Sequence, residues 1–88
     1  MQTYTFRLNT IPNRTRRYHD GRVASSFQEI ANEVIWDTVF DSPEGRHSAY
    51  RKIETDDTIT LVFERGSISL ATQAELQADL NRLAVGFA

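Results

Sequence analysis

The connections in the second half of the chain are too short to let its strands run parallel. His47–Thr55 leads through Asp56-Asp57 into Thr58–Glu64, and Arg65-Gly66 turns that run into Ser67–Leu70. A parallel pair needs a crossover of a dozen or more residues, whereas a two-residue link closes only an antiparallel hairpin. Ile59, Leu61 and Phe63 alternate with Thr60 and Val62, the period of a strand with one face buried. The three runs are therefore expected to form a meander, with Ile68 and Leu70 of the last run also facing the core.

The first half adds a strand and a helix. Tyr4, Phe6 and Leu8 alternate with Thr5, Arg7 and Asn9, and Pro12-Asn13 ends the run. Asp20-Gly21 is a hairpin-turn signal, so Arg14–Ala24 is expected to hold a short second strand or an ordered loop. Ser26-Phe27-Gln28-Glu29 has the form of a capping box, which predicts a helix from Phe27 to Phe40, stopped by Ser42-Pro43 and Gly45. Thr72-Gln73-Ala74-Glu75 repeats that form and predicts a second helix with Leu76, Leu80 and Leu83 on one face and Gly86 at its end. The order β-(β)-α-β-β-β-α makes an α+β, two-layer sandwich: an antiparallel sheet of three to five strands with two helices on one face. The 88 residues suffice for one such domain, spanning 1–88.

Several chemistries lack their residues. With no cysteine there is neither a disulfide framework nor thiolate chemistry. The two histidines, His19 and His47, lack the spacing of a metal-ligand pair, and Gly21, Gly45, Gly66 and Gly86 are scattered among turns rather than forming a phosphate-cradling loop. No serine sits in a nucleophile elbow. Acids on an amphipathic surface helix lack the desolvating pocket that would separate a general acid from a general base. The expectation is a protein that is not an enzyme and holds no cofactor and no metal. No stretch reaches the ~18 apolar residues of a membrane span, and no basic segment leads into an apolar one at the N-terminus. A cytoplasmic protein without a membrane partner is expected.

Charge is segregated along the chain. Residues 1–22 carry five arginines against Asp20, a balance of +4, whereas residues 23–88 carry a balance of −6. Glu29, Glu33, Asp37 and Asp41 follow one another at four-residue spacing on the first predicted helix, with no base among them. Like charges at that spacing each destabilise a helix by about 0.2–0.5 kcal/mol, and Asp37 and Asp41 also lie toward the negative end of its dipole. Helical geometry groups Ile30, Val34, Phe27, Ala31, Ile35 and Val39 on the core side and sets Trp36 and Phe40 beside the carboxylates. Aromatic side chains on an acidic edge are candidate interface anchors. Glu33, Asp37, Asp41, Glu44, Trp36 and Phe40 are thus the leading binding residues. An ordinary solvated helix face, or one neutralised by the chain's own arginines, is the plainer reading.

The arginine segment offers a second candidate. Arg14, Arg16, Arg17, Tyr18 and Arg22 combine charges for phosphates with an aromatic for stacking. The acidic remainder opposes this by repelling a nucleic-acid backbone. The helix–three-strand–helix portion resembles a double-stranded-RNA-binding domain in element order. That family, however, presents lysines where this chain has Ala71-Thr72-Gln73-Ala74-Glu75-Leu76-Gln77, which excludes it.

In size, charge character and element order over its whole length, this small, cysteine-free, acidic α+β chain resembles the phage-encoded inhibitors of host defence, the anti-CRISPR proteins. The resemblance implies a non-catalytic inhibitor whose carboxylates stand in for phosphates on a basic, nucleic-acid-handling surface of a host CRISPR-Cas complex, a protein or ribonucleoprotein partner in the host cytoplasm. Two alternatives stay open. One is a nucleic-acid-binding or antitoxin-like regulator acting through Arg14–Arg22. The other is a structural protein that self-associates, acidic helix to arginine segment, for instance as a homodimer.

Overall fold

The computed structural model describes residues 1–14 and 27–88 of the chain. Its elements are β1 (Gln2–Arg7), α1 (Phe27–Asp41), a 3-10 turn at Pro43–Gly45, β2 (Ala49–Glu54), β3 (Thr58–Arg65) and α2 (Leu70–Gly86). The three strands form one sheet in the order β1-β3-β2, antiparallel at both junctions. With two helices beside it, the domain is α+β, as the sequence pattern requires. No helix of the described residues is long and apolar enough to cross a membrane. The stretch expected to form a short second strand falls almost wholly outside the described residues.

The β2–β3 hairpin forms as expected, pairing Glu54 with Ile59 and Tyr50 with Phe63. The expected third meander strand does not form: Ser67–Ser69 pairs with nothing in the sheet, and Leu70 is the first residue of α2. Its place beside β3 is taken by β1, whose Tyr4 and Phe6 pair with Leu61 and Ile59. The physical reason is length and burial. β1 supplies a six-residue ladder and leads into the buried Leu8, where the later run had four residues to offer. β1, α1 and β2 thus make a crossover into whose middle β3 is inserted antiparallel.

The start of α2 also differs from expectation. Ser69, not Thr72, is its N-cap: the Ser69 hydroxyl accepts from the Thr72 N–H at 3.1 Å. Thr72 lies one turn inside the helix, buried, with its hydroxyl 3.1 Å from that of Ser69. Both Ser and Thr can cap, so spacing alone left two starts. The start at Ser69 places Thr72, Leu76, Leu80 and Ala84 in one buried stripe. Leu70, expected to face the core, is 82% exposed as a result.

The core lies between one sheet face and the two helices. Phe6, Leu8, Ile59, Leu61 and Phe63 meet the α1 stripe Phe27, Ala31, Ile35, Val39 and the α2 stripe, closed at the end by Phe87. α2 is held against β1 by polar contacts: Gln77 Nε2 donates to the Arg7 carbonyl at 2.8 Å, and the Asn9 N–H to Asn81 Oδ1 at 3.2 Å. α1 lies beside β2, where Phe40 and Tyr50 rings approach to 6.4 Å. The acids Glu33, Asp37 and Asp41 lie on the exposed side of α1, Asp37 and Asp41 on the flank toward the start of α2.

Candidate binding surface on the first helix

Burial along α1 recurs every four residues, at Phe27, Ala31, Ile35 and Val39, because those positions stack on one stripe of a 3.6-residue helix. One position further on, Gln28, Asn32 and Trp36 are turned outward, whereas Phe40 is half-buried. Trp36, next to Ile35, is 59% exposed, and Glu33, Asp37 and Asp41 are all exposed. These three carboxylates make no ion pair or hydrogen bond among the described residues. Glu29 does make a contact and does not belong with them. The described arginines therefore leave the acidic edge un-neutralised.

Phe40 occupies a different position from the one expected. It is half-buried and packs against the core, and with Trp36 it forms a tilted pair, centroids 4.2 Å apart. The row continues through Tyr50 to Phe63, at 5.2 Å, and to Tyr4, which meets Phe63 edge-on at 5.4 Å. An exposed indole is thus backed by a stack that ends in the core, and this holds the ring in place. Burial pushes the Tyr50 phenol above its ordinary value.

Between α1 and β2 lies a groove of about 430 Å³ to which Trp36, Phe40, Tyr50, Asn32, Ser48 and Lys52 contribute. Lys52 offers this groove little free charge, because its Nζ lies 2.9 Å from Glu54 Oε2. Ser48 is 8% exposed, and its hydroxyl has no hydrogen-bond partner among the described residues. A second groove, about 340 Å³, lies on the other flank of α1, where Asp37, Asp41, Glu44 and Glu75 converge with Ser42 and Ser69. The two flanks of α1 thus differ: the groove beside β2 is aromatic and lined by no acid, and the acids gather on the flank toward α2.

Glu44 has a structural attachment that Glu33, Asp37 and Asp41 lack. Its carboxylate accepts the Ser69 N–H at 3.0 Å, joining the 3-10 turn to the N-cap of α2. Hydrogen bonds from its own backbone N–H, from the Ser69 hydroxyl and from the Ser69 N–H hold its carboxyl below the usual carboxylate value. The negative charge also sits at the positive end of the α2 dipole.

Arg14 is half-buried at the opposite end of the sheet. Its Nη2 lies 2.8 Å from Glu54 Oε1 and 2.9 Å from the Thr55 carbonyl, and its guanidinium sits 5.2 Å from the centroid of the Phe27 ring. Glu54 is in this way held between Arg14 and Lys52. Arg16, Arg17, Tyr18 and Arg22 lie outside the described residues.

Sequence reasoning did not find Asn32, Ser48, Tyr50, Lys52 or Glu75. Asn32 stands one turn before Trp36, a helical spacing that could have revealed it. The others reach the site only through strand pairing and the approach of α2. Comparison with protein-family models, curated proteins and solved structures gives no match.

Proposed function

We propose that this protein is a non-catalytic inhibitor that lays the outer edge of α1 on a basic, nucleic-acid-handling surface of a host complex of the CRISPR-Cas kind. The observation that carries this reading is the unpaired state of Glu33, Asp37 and Asp41 beside the exposed Trp36. Four carboxylates at four-residue spacing cost α1 stability, and nothing described within the fold offsets that cost for the last three. A basic partner does, and it gains on-rate from the field of a domain part whose balance is −6. Glu44 and Glu75 extend the negative surface toward α2. The choice of a CRISPR-type target rests on the resemblance in size, charge and element order.

The test is inhibition of target-DNA binding by purified CRISPR-Cas complexes. The intact protein should block binding at stoichiometric amounts with at least one complex type, and Asp37→Lys with Asp41→Lys should abolish the block while the protein stays folded. Undiminished inhibition by that folded double variant would place the interface elsewhere. Absence of inhibition across complex types would remove the CRISPR target.

A further inference from the structure

We infer that the outer edge of β2 is a dimerisation edge, to which a second copy of this chain adds its own β2 antiparallel about a two-fold axis at Ile53. The sheet has two edges, β1 and β2. Along an antiparallel strand, successive residues turn their N–H and C=O groups to opposite sides. The Thr55 N–H bonds to the Thr58 carbonyl at 3.0 Å, so Arg51 and Ile53 bond inward to β3 while Tyr50, Lys52 and Glu54 turn their backbone groups outward. On β1 the Leu8 N–H bonds to the Asp57 carbonyl at 2.7 Å, which turns Arg7 outward, and there Gln77 of α2 already occupies the carbonyl. No hydrogen bond to the outward backbone groups of Tyr50, Lys52 and Glu54 is found among the described residues. Such an edge is a template for another strand unless a charged side chain pointing inward protects it. Lys52 points inward, but Glu54 neutralises it, Nζ to Oε2 at 2.9 Å. A second copy is the occupant because the strand complements itself in one register. With Ile53 opposite Ile53, Lys52 of each copy lies opposite Glu54 of the other. Moving the axis by one residue sets Lys52 against Lys52 or Glu54 against Glu54, and like charges facing across a ladder oppose pairing. Ile53 is 46% exposed and alternates with Lys52, so it lies on the sheet face away from the helices. Across the axis it makes a non-hydrogen-bonded pair, the kind in which side chains approach most closely. The axis stands perpendicular to the sheet, so both helix layers share one face. Three helix spacings of about 8–10 Å fit over five strand spacings of about 4.8 Å. Asp37 and Asp41, on the flank toward α2, stay accessible in such a dimer, so the pairing does not depend on the inhibitory reading.

The experiment follows the mass of the whole 88-residue protein by sedimentation over a concentration series and locates the contact with variants. The parent should dimerise reversibly, with amide exchange at Tyr50, Lys52 and Glu54 slowing as the dimer forms. Ile53→Lys and Ile53→Glu each set like charges face to face on the axis and should each raise the dissociation constant about tenfold. An equimolar mixture of the two should recover the dimer. The chain has no cysteine, so Ile53→Cys should form an interchain disulfide on mild oxidation. Arg51→Cys should not, because in this register the two residues 51 stand about 14 Å apart, beyond disulfide reach. A protein that is monomeric at every concentration overturns the inference, and slow exchange at Tyr50, Lys52 and Glu54 in that monomer would show the edge covered from within the chain. A dimer indifferent to both charge variants, or one crosslinked by Arg51→Cys and not by Ile53→Cys, overturns it as well. The dimer in this register without inhibition of any CRISPR complex keeps the pairing and removes the proposed function. Inhibition by a protein that stays monomeric keeps the function and removes the pairing.

Discussion

Replacing Asp37 by Lys should make the protein more stable, which is the opposite of what a charge reversal does at a structurally paired carboxylate. Asp37 lies four residues from both Glu33 and Asp41 on α1 and has no ion pair among the described residues. The change removes two like-charge contacts and creates two attractive ones, each worth about 0.2–0.5 kcal/mol. Glu33 precedes the new Lys, the better orientation, while the pair to Asp41 is reversed and worth less. A cation one turn from the C-terminus of α1 adds a few tenths of a kcal/mol through the helix dipole. The expected gain is about 1 kcal/mol at low salt, or a rise in Tm of about 4–8 °C for a domain of this size. Lys also has a higher helix propensity than Asp, so Asp37→Gln, whose propensity is close to that of Lys, is the control. Gln should deliver the propensity gain and the relief of repulsion but not the new attractions. Urea unfolding of the three proteins at low salt and in 1 M NaCl separates these effects, since a Debye length of about 3 Å at 1 M removes most of the surface electrostatics. The Lys variant should exceed Gln at low salt and match it at high salt. A Lys variant less stable than the parent by about 0.5 kcal/mol or more would show that Asp37 is held by a contact within the fold, and the acidic edge would lose its claim to be free for a partner.

Three further outcomes are expected. Gly66→Ala should destabilise by more than the ~1–2 kcal/mol of a left-handed residue alone, measured by urea unfolding, because Gly66 has φ 89° and an added Cβ would lie 2.2 Å from Ser48 Oγ. Ser69→Ala should cost about 0.5–2 kcal/mol in the same assay, since it removes the cap of α2, whereas Thr72→Ser, which keeps a hydroxyl one turn into the helix, should cost less. Glu44 has a lowered folded-state pKa, so its contribution is present above its ordinary value of 4.5 and is lost as pH falls from there through the folded value. The stability advantage of the parent over Glu44→Gln should therefore be constant from pH 7 to about 5.5 and shrink below it in denaturation series run at successive pH values.

Position along the chain determined α1 almost completely. Its apolar residues recur at a helical period, Ser42-Pro43 stops it one residue beyond the expected end, and the outward placement of Glu33, Trp36, Asp37 and Asp41 follows from local geometry. The β2–β3 hairpin was equally legible, because a short link between alternating runs permits one pairing only. Phe40 was not legible as a half-buried residue: its burial depends on Tyr50, which arrives across a chain reversal. Nor could spacing say which strand would take the second side of β3. Ser67–Leu70 is adjacent in sequence, but β1, more than fifty residues away, offers a longer ladder and more apolar surface, and that competition is decided only once both are in reach of β3. The loss of that strand moved the start of α2 to Ser69, brought Glu44 onto its N-terminus, and converged Glu75 with Asp37 and Asp41. Local period and turn chemistry set which residues face outward, whereas long-range strand pairing set which of those outward residues meet.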